Sequence, residues 1–148
     1  MSKNFSKADI PDIIDNFNKN IKRIVKILDS NIINNIAYDT LRRRLLIAMK
    51  ETPIILLQQG GNMIYNQREY IINNNLDDLL NKDLNYHIQN IKVDESTKNE
   101  INEKEKEFSE LFNIIQSNWI KFNDTEKKYV NKIFKTLLSE YSKYKSIN

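Results

Sequence analysis

The sequence is 148 residues long, carries a net charge of +3 and contains no cysteine. Its length fits one domain with a substantial core, and its mild charge permits contact with nucleic acid or an anionic membrane without requiring either. The lack of cysteine excludes a disulfide framework, a thiolate metal site and a cysteine nucleophile. No apolar run reaches the ~20 residues of a membrane span and the N-terminus does not resemble a signal peptide, so we expect a soluble, intracellular protein.

Asn, Ile and Lys are abundant, whereas Ala, Gly and Pro are scarce. This bias is typical of an AT-rich coding genome and concerns nucleotide usage, not chemistry. Apolar residues recur at steps of three and four along most of the chain, which predicts helices throughout. We therefore predict an all-α protein: one single-domain helical bundle over residues 1–148, with a central short-helix unit and a C-terminal antiparallel helical hairpin.

The N-terminal part predicts a long first helix. Residues 1–8 are expected to form a flexible tail, and the helix begins near Asp9 and has Pro11 in its first turn. Residues 29–31 predict a break, and the alternative is that Ile32, Ile33 and Ile36 continue the helix. Its apolar positions follow the heptad spacing of a helix that packs along another helix. They are Ile10, Ile14, Phe17, Ile21, Ile24 and Leu28.

Four cations lie on the face of this helix opposite to its apolar positions. They are Lys19, Lys22, Arg23 and Lys26, and we call them the basic stripe. Lysine and arginine neutralise phosphates, so the basic stripe is the candidate nucleic-acid-binding site. The alternative interpretation is an ordinary solvated helix face, which is the more common outcome for charged residues in this pattern.

The central stretch, residues 38–72, has the densest apolar sequence and holds both glycines. Its first helix is expected to end at Thr52, because Pro53 disfavours a helical conformation at the preceding residue. A short buried helix should follow from Pro53, with Thr52 as its N-cap. Leu46 and Ile47 widen the apolar face of the first helix, so we expect that helix to have partners on more than one side.

Two adjacent glycines divide this central stretch. Glycine adopts the left-handed conformation that ends many helices, so Gly60 and Gly61 are expected to stop the short helix near Gln59. Asn62 would then cap a third helix that reaches about Ile72. The alternative, an anion-binding turn at a helix start, lacks both a preceding strand and a following lysine–serine pair.

Residues 73–95 link the central unit to the C-terminal part of the chain. Asn73, Asn74 and Asn75 predict a polar break that also caps a short helix, Leu76 to Lys82. Residues 83–95 fit either a helical turn or an extended linker, and periodicity does not separate the two over so few residues.

The last third predicts two long helices in an antiparallel hairpin, residues 96–145. The first arm runs from Ser96 to Phe122, and Asn123 with Glu126 fits a capping box at the start of the second arm. The acidic start of the first arm would lie beside the basic end of the second. The apolar seam of the two arms consists of Ile101, Phe108, Phe112, Ile115, Trp119, Phe122, Val130, Phe134, Leu137, Tyr141 and Tyr144.

Reactive side chains do not form a recognisable catalytic pattern. The single histidine, His87, has neither metal-ligand spacing nor a nucleophile beside it, so a surface or packing role is preferred. Arg42, Arg43 and Arg44 point about 100° apart on a helix and cannot form one phosphate patch, although Asp39 can pair with Arg43. We therefore expect no enzyme activity, no cofactor, no metal site and no small-molecule substrate.

Two stretches resemble a known group of proteins. The central ETPIILLQQGGNMIYNQREYI and the terminal NWIKFNDTEKKYVNKIFKTLLSEYSKY are similar to segments of small helical proteins of nucleocytoplasmic large DNA viruses. The shared features are the proline-led short helix, the glycine turn, the pair Tyr65 and Arg68, and the hairpin from Trp119 to Tyr144. The resemblance covers about half of the chain and implies a viral source with a virion or host-cell setting. It carries over no site residues.

Three functions follow as hypotheses. The first is a non-enzymatic helical protein–protein interaction or structural protein, a virion component or host modulator, with a protein partner or self-association. The second is a nucleic-acid-associated protein that binds phosphate through the basic stripe, helped by the late lysines. The third is a viral helical cell-death regulator, which rests on fold analogy and lacks the Asn-Trp-Gly-Arg signature of that family.

Overall fold

The computed structural model describes residues 5–81 and 106–147, which form helices with no strand among them. The helices are α1 (Ile10–Asn31), α2 (Ile36–Glu51), α3 (Ile55–Asn66), α4 (Arg68–Ile72), α5 (Leu76–Asn81), α6 (Lys106–Asn118) and α7 (Asp124–Ser146). Short 3₁₀ turns precede α1 at Lys7–Asp9 and α7 at Trp119–Lys121. The predicted all-α class is confirmed, whereas the predicted linker, residues 83–95, and His87 lie outside the described residues.

The most extensive helix contact is that of α1 with α7, and the two helices run antiparallel. Asn31 Nδ2 at the end of α1 donates to Glu126 Oε2 in the first turn of α7 at 2.9 Å. At the other end, Lys143 of α7 lies over the ring of Phe5, just before α1. Helix α1 ends at Asn31, within the predicted break at residues 29–31. Of the predicted seam, Phe17, Ile21, Ile24 and Leu28 are buried, and Ile10 and Ile14 are half-buried.

Helix α2 begins with a side-chain cap from Asn35 and ends at Glu51, so the predicted stop before Pro53 is confirmed. The predicted N-cap at Thr52 is wrong. Thr52 O accepts from Ile55 N at 2.9 Å, which closes a turn, and α3 begins only after that turn. The proline therefore separates the two helices by three residues instead of starting the second one.

Helix α2 packs on two helices, α3 and α6, but Leu46 and Ile47, which were expected to widen its buried face, are exposed. Leu46 and Ile47 are 36% and 53% exposed. Among the described residues, the buried side chains of α2 form a single stripe that faces α3 and α6. The buried positions are Tyr38, Leu41, Leu45 and Met49.

The predicted glycine stop is also wrong, because α3 continues through both glycines. Neither glycine has a positive φ. A β-carbon at Gly60 would overlap the ring of Phe108 in α6, and one at Gly61 would overlap the ring of Tyr141 in α7. Glycine is required here because two helices approach the backbone of α3 closely, not because the chain must turn.

The third predicted helix is divided into parts of α3 and α4. Asn62 lies inside α3 and caps nothing. The predicted polar break after α4 is confirmed, because Asn74 is left-handed with φ 56°. Asn75 N donates to Tyr70 O at 2.7 Å and Asn74 N donates to Ile71 O at 3.2 Å. This is the Schellman geometry of a helix end, with asparagine in the place that glycine usually takes.

Helices α6 and α7 form the predicted chain reversal. Asn123 Oδ1 accepts from Glu126 N at 2.8 Å and Glu126 Oε1 accepts from Asn123 N at 3.0 Å, so the predicted capping box is confirmed. Near this turn the two arms meet directly, with the rings of Phe112 and Phe134 packed edge to face at 6.4 Å. Residues 96–105 of the predicted first arm lie outside the described residues.

Away from this turn, α3 lies against both arms. Helix α7 packs mainly on α1 and α3, and α6 mainly on α3 and α2, so the hairpin is part of the bundle and not a separate pair. The first arm leaves the α-helical conformation at Asn118, four residues earlier than predicted. Within the described residues the predicted seam is confirmed: Phe108, Phe112, Ile115, Trp119, Phe122, Val130, Phe134, Leu137 and Tyr141 are buried, and Tyr144 is half-buried.

Each helix of the described residues, α1 through α7, contributes buried residues to one apolar core. Buried amides bind across helices at its edge: Asn18 Nδ2 donates to Pro53 O at 2.9 Å, and Gln59 Nε2 donates to Glu107 Oε2 at 2.9 Å. In the described parts of the chain, none of the helices combines the length and the apolar content needed to cross a bilayer.

Candidate functional site

A cleft of about 510 Å³ opens to solvent between α7 and the turn that joins α4 to α5. One wall is the N-terminal half of α7, which contributes Lys127, Lys128, Lys132 and Lys135. We call this recess the lysine cleft. Because the four lysines belong to one helix, their relative positions are set by the helix itself.

The lysines face the cleft together because of their spacing. Lys128 lies four residues before Lys132 and seven before Lys135, and both spacings put side chains on one face of a helix. Lys127 and Asn131 are also four residues apart and border that face. The opposite face of α7 is buried through Val130, Phe134 and Leu137. Burial of that face therefore turns the lysines outward.

The second wall of the cleft is tied to α7 by an amide pair. Asn131 Nδ2 donates to Asn74 Oδ1 at 2.6 Å. Asn74 is the left-handed residue that ends α4, so one residue both terminates the helix and closes the cleft. Asn131 Oδ1 is buried and accepts no hydrogen bond from the described residues.

Trp119 closes the bottom of the cleft. Its side chain is 4% exposed, and its Nε1–H donates to Asp77 Oδ1 at 2.6 Å. Lys127 Nζ lies 5.6 Å from the centre of the indole ring, where the electron-rich face attracts a cation. The prediction that Trp119 is a core residue is thus confirmed. Its indole N–H already donates a hydrogen bond to Asp77.

The lysine cleft is strongly electropositive. In the described part of the chain, none of its four lysines makes an ion pair, whereas Lys19 pairs with Asp15 and Lys143 with Glu140. Asp77 is the one carboxylate among the described lining residues, so four ammonium groups against one carboxylate leave an excess of three positive charges. A recess with low-dielectric walls focuses such a field and concentrates anions.

The same region offers no set of metal ligands. Within residues 5–81 and 106–147, no three side chains of His, Cys, Asp or Glu come together as they would around a metal ion. The ammonium groups of the lysine cleft can attract an anion electrostatically, and its ammonium and amide groups can donate hydrogen bonds to it.

The basic stripe predicted on α1 is exposed and separate from the lysine cleft. Lys19 Nζ lies 3.5 Å from Asp15 Oδ2, and Arg23 Nη1 donates to Asn20 Oδ1 at 3.2 Å. Two of the four stripe cations are thus engaged on their own helix. The full stripe, Lys19, Lys22, Arg23 and Lys26, contributes nothing to the cleft lining, and its binding of nucleic acid stays a prediction.

Two arginines of the run in α2 connect this helix to its neighbours α1 and α6. Arg42 Nε lies 3.1 Å from Asp29 Oδ1 of α1, and Arg44 pairs with Glu110 of α6. The three side chains point in different directions, as expected from their spacing. The predicted pair of Asp39 with Arg43 is wrong: Arg43 is exposed and makes no ion pair with a described residue.

The pair Tyr65 and Arg68 forms a cation–π contact at the other end of α7. Arg68 Cζ lies 4.4 Å and Lys145 Nζ 4.0 Å from the centre of the Tyr65 ring, and the ring of Tyr141 lies 6.3 Å away. These contacts join α3 to the end of α7. They stabilise the fold, and we assign no ligand to them.

The lysine cleft could be anticipated only in part from the sequence. The basic residues of the last helix are predicted to lie beside the acidic start of the first arm and to help the basic stripe bind phosphate, and their spacing of four and seven residues indicates one shared face. The second wall has no comparable signal. Asn74 and Asn131 are 57 residues apart in the sequence, and no local pattern relates them.

No family model, no curated protein and no solved structure matches this chain. The resemblance to proteins of large DNA viruses therefore stays a prediction.

Proposed function

We propose that this protein acts by binding a partner, without catalysis, and that the partner taken up by the lysine cleft is anionic. The observation that carries the proposal is the grouping of Lys127, Lys128, Lys132 and Lys135 around one recess, with no ion pair of their own in the described part of the chain. Clustered like charges repel one another, so an anion bound among them relieves a cost that the free protein carries. Binding is thus favoured both by new contacts and by the loss of this repulsion.

Retention on immobilised heparin, a linear polyanion, tests this proposal. The variant Lys128→Glu/Lys132→Glu reverses two cleft charges, and the control Lys22→Glu/Lys26→Glu reverses two exposed charges of the basic stripe. Both variants change the net charge equally. We expect the cleft variant to elute at clearly lower salt and the control to stay near wild type. Loss of retention in the control alone would assign anion binding to the basic stripe, and equal loss in both would assign it to net charge.

A second candidate function, a protein–protein interaction or structural role, is supported by exposed isoleucines. Ile33, Ile36 and Ile120 are 79%, 84% and 86% exposed. Ile33 lies in the turn after α1, Ile36 is the first residue of α2, and Ile120 lies in the turn before α7. The hydrogen bond from Asn31 to Glu126 brings these segments to one end of the bundle. Large apolar side chains grouped at one end favour burial against another chain. In this second proposal, the protein would act as a virion component or as a modulator of a host cell.

Light scattering over a range of concentrations, together with capture of partners from infected cells, tests this second function. Ile33→Ser/Ile120→Ser is expected to weaken association without lowering thermal stability, because both side chains are exposed in the free protein. Ile72→Ser, at an exposed position of α4, is the control. A strict monomer that captures no partner would contradict the proposal. The remaining hypothesis, a cell-death regulator, predicts binding of amphipathic death-motif peptides and is removed if none bind.

A further inference from the structure

The composition of the lysine cleft bears on the chemistry of its anion. All four cations are lysines, and no arginine lies among the described lining residues. The planar fork of arginine matches both carboxylates and phosphates through two parallel hydrogen bonds, whereas lysine binds phosphate oxygens as a point charge and needs no planar match. The lining therefore suits phosphate groups, and the spacing of the lysines indicates how many such groups it can hold.

The lysines form a row along the helix axis. From Lys127 to Lys135 the helix rises about 12 Å, at about 1.5 Å per residue, and Lys132 lies between them. One strand of a nucleic-acid duplex advances about 3.4 Å along its axis per phosphate, so this length spans about three to four phosphates. A row of this length matches a linear phosphate polymer better than a single phosphate group.

The described lining residues of the cleft offer no open aromatic face for base stacking. Proteins that hold single strands by their bases use open aromatic faces. Trp119 is the aromatic residue of the described lining, and it is 4% exposed with Lys127 over its ring. The described lining therefore contacts a ligand through charge and hydrogen bonds and not through stacking, which favours the phosphate backbone over the bases.

We infer that the lysine cleft binds the phosphodiester backbone of a nucleic acid, which lies along α7 against Lys127, Lys128, Lys132 and Lys135 without base readout. This inference rests on the proposed function, an anionic partner in the cleft, and narrows that partner to a phosphate polymer. Asp77 carries a negative charge on the opposite wall, so the backbone is held against α7 and away from α5.

Fluorescence anisotropy over a salt series measures this binding, with labelled single-stranded RNA, single-stranded DNA and duplex DNA of mixed sequence. If all four lysines contact phosphates, the slope of log K against log salt is about −3.6 for duplex and about −2.8 for a single strand. A fourfold rise in salt then lowers the affinity about 150-fold for duplex and about 50-fold for a single strand. A strong preference for one base sequence would overturn the inference.

The variant Lys132→Gln/Lys135→Gln removes two of the four contacts. Its slope is expected to be shallower by about 1.8 for duplex or about 1.4 for a single strand. The control Lys22→Gln/Lys26→Gln has the same net charge and should keep the wild-type slope. An equal change in both variants would overturn the inference, because it would show that binding follows total charge and not the cleft. Thermal unfolding of both variants should match wild type, since all four side chains are exposed.

Binding to polyglutamate or to vesicles containing anionic lipid distinguishes the inference, a phosphodiester backbone, from the proposed function, an anionic partner of any kind. Binding of either one, lost in the cleft variant, without nucleic-acid binding at low salt would overturn this inference and leave the proposed function standing. Failure of the cleft to bind any of these anions would overturn both.

Discussion

Gly61 of α3 lies against the ring of Tyr141 in α7 so closely that no β-carbon fits between them. Gly60 stands in the same relation to the ring of Phe108 in α6. Successive helical residues point about 100° apart, so two adjacent glycines let one helix touch two others. The contact at Gly61 holds α3 against α7, the helix that carries the lysines of the cleft.

Gly61→Ala is expected to destabilise the protein by up to about 2 kcal/mol. Overpacking costs about 1–3 kcal/mol, and the better helix propensity of alanine offsets about 1 kcal/mol of that. The Tyr141 ring cannot easily move aside, because its hydroxyl donates to Asn62 Oδ1 at 2.5 Å. Urea unfolding measures the change, with Gln58→Ala at an exposed position of α3 as the control. A Gly61→Ala protein more stable than wild type would contradict the close approach.

The unfolding free energy is expected to fall at alkaline pH through Tyr38. Burial, together with the hydrogen bond that its hydroxyl donates to Asp29 Oδ1 at 2.5 Å, raises the pKa of Tyr38 above its ordinary value of 10.0. Above pH 10 the unfolded chain loses this proton while the folded chain keeps it. The stabilisation is therefore complete below pH 10 and declines as the pH rises beyond it, by up to about 1.4 kcal/mol per pH unit.

Denaturant unfolding across this alkaline range measures the effect. The slope of stability against pH should be shallower in Tyr38→Phe than in wild type, because the variant has no phenol to ionise. Tyr129→Phe, at an exposed position, is the control. Identical slopes in wild type and Tyr38→Phe would show that the proton on Tyr38 does not contribute.

Asn123→Ala is expected to cost about 1 kcal/mol, the usual effect of losing an N-cap. The variant removes the acceptor of the Glu126 amide and loosens the first turn of α7, which leads into Lys127 and Lys128. Thermal unfolding measures the loss. Asn123→Ser retains a capping oxygen and should stay near wild type, so equal stability of the alanine and serine variants would count against the capping box.

Asp77→Asn is expected to strengthen anion binding in the lysine cleft about twofold to fivefold at low salt, because it removes the negative charge of the opposite wall. The amide still offers an acceptor to Trp119 Nε1–H, so the fold should be kept. Asp78→Asn changes the charge of a neighbour that is outside the cleft lining and serves as the control. The same gain in both variants would contradict the assignment.

Asp77→Ala separates the structural role of Asp77 from its charge. It leaves the buried Trp119 Nε1–H without its acceptor, which costs about 1–3 kcal/mol of stability. Trp119 is the single tryptophan of the chain, so its fluorescence reports directly on this change. An unchanged emission spectrum and stability would show that the hydrogen bond is unimportant.

Local sequence predicted three helix ends well, although it misplaced the N-cap at Thr52 and the stop at the glycines. The capping box of Asn123 and Glu126, the stop before Pro53 and the break after α4 all follow from atoms within a few residues of one another. Capping, the proline ring and a left-handed asparagine act at that range. The glycine pair was misjudged because glycine serves both helix ends and close helix contacts, and its neighbours in sequence do not distinguish the two.

The amino-acid sequence by itself determined the all-α class, the apolar seam of α1 and the chain reversal before α7, since periodicity and capping act within one or two helical turns. Only the tertiary structure decided that α3 passes between the two arms, that Leu46 and Ile47 stay in solvent, and that Asn74 closes a cleft beside the lysines of α7. These features depend on contacts between residues far apart in the chain. The local spacing of apolar and charged residues does not predict such contacts.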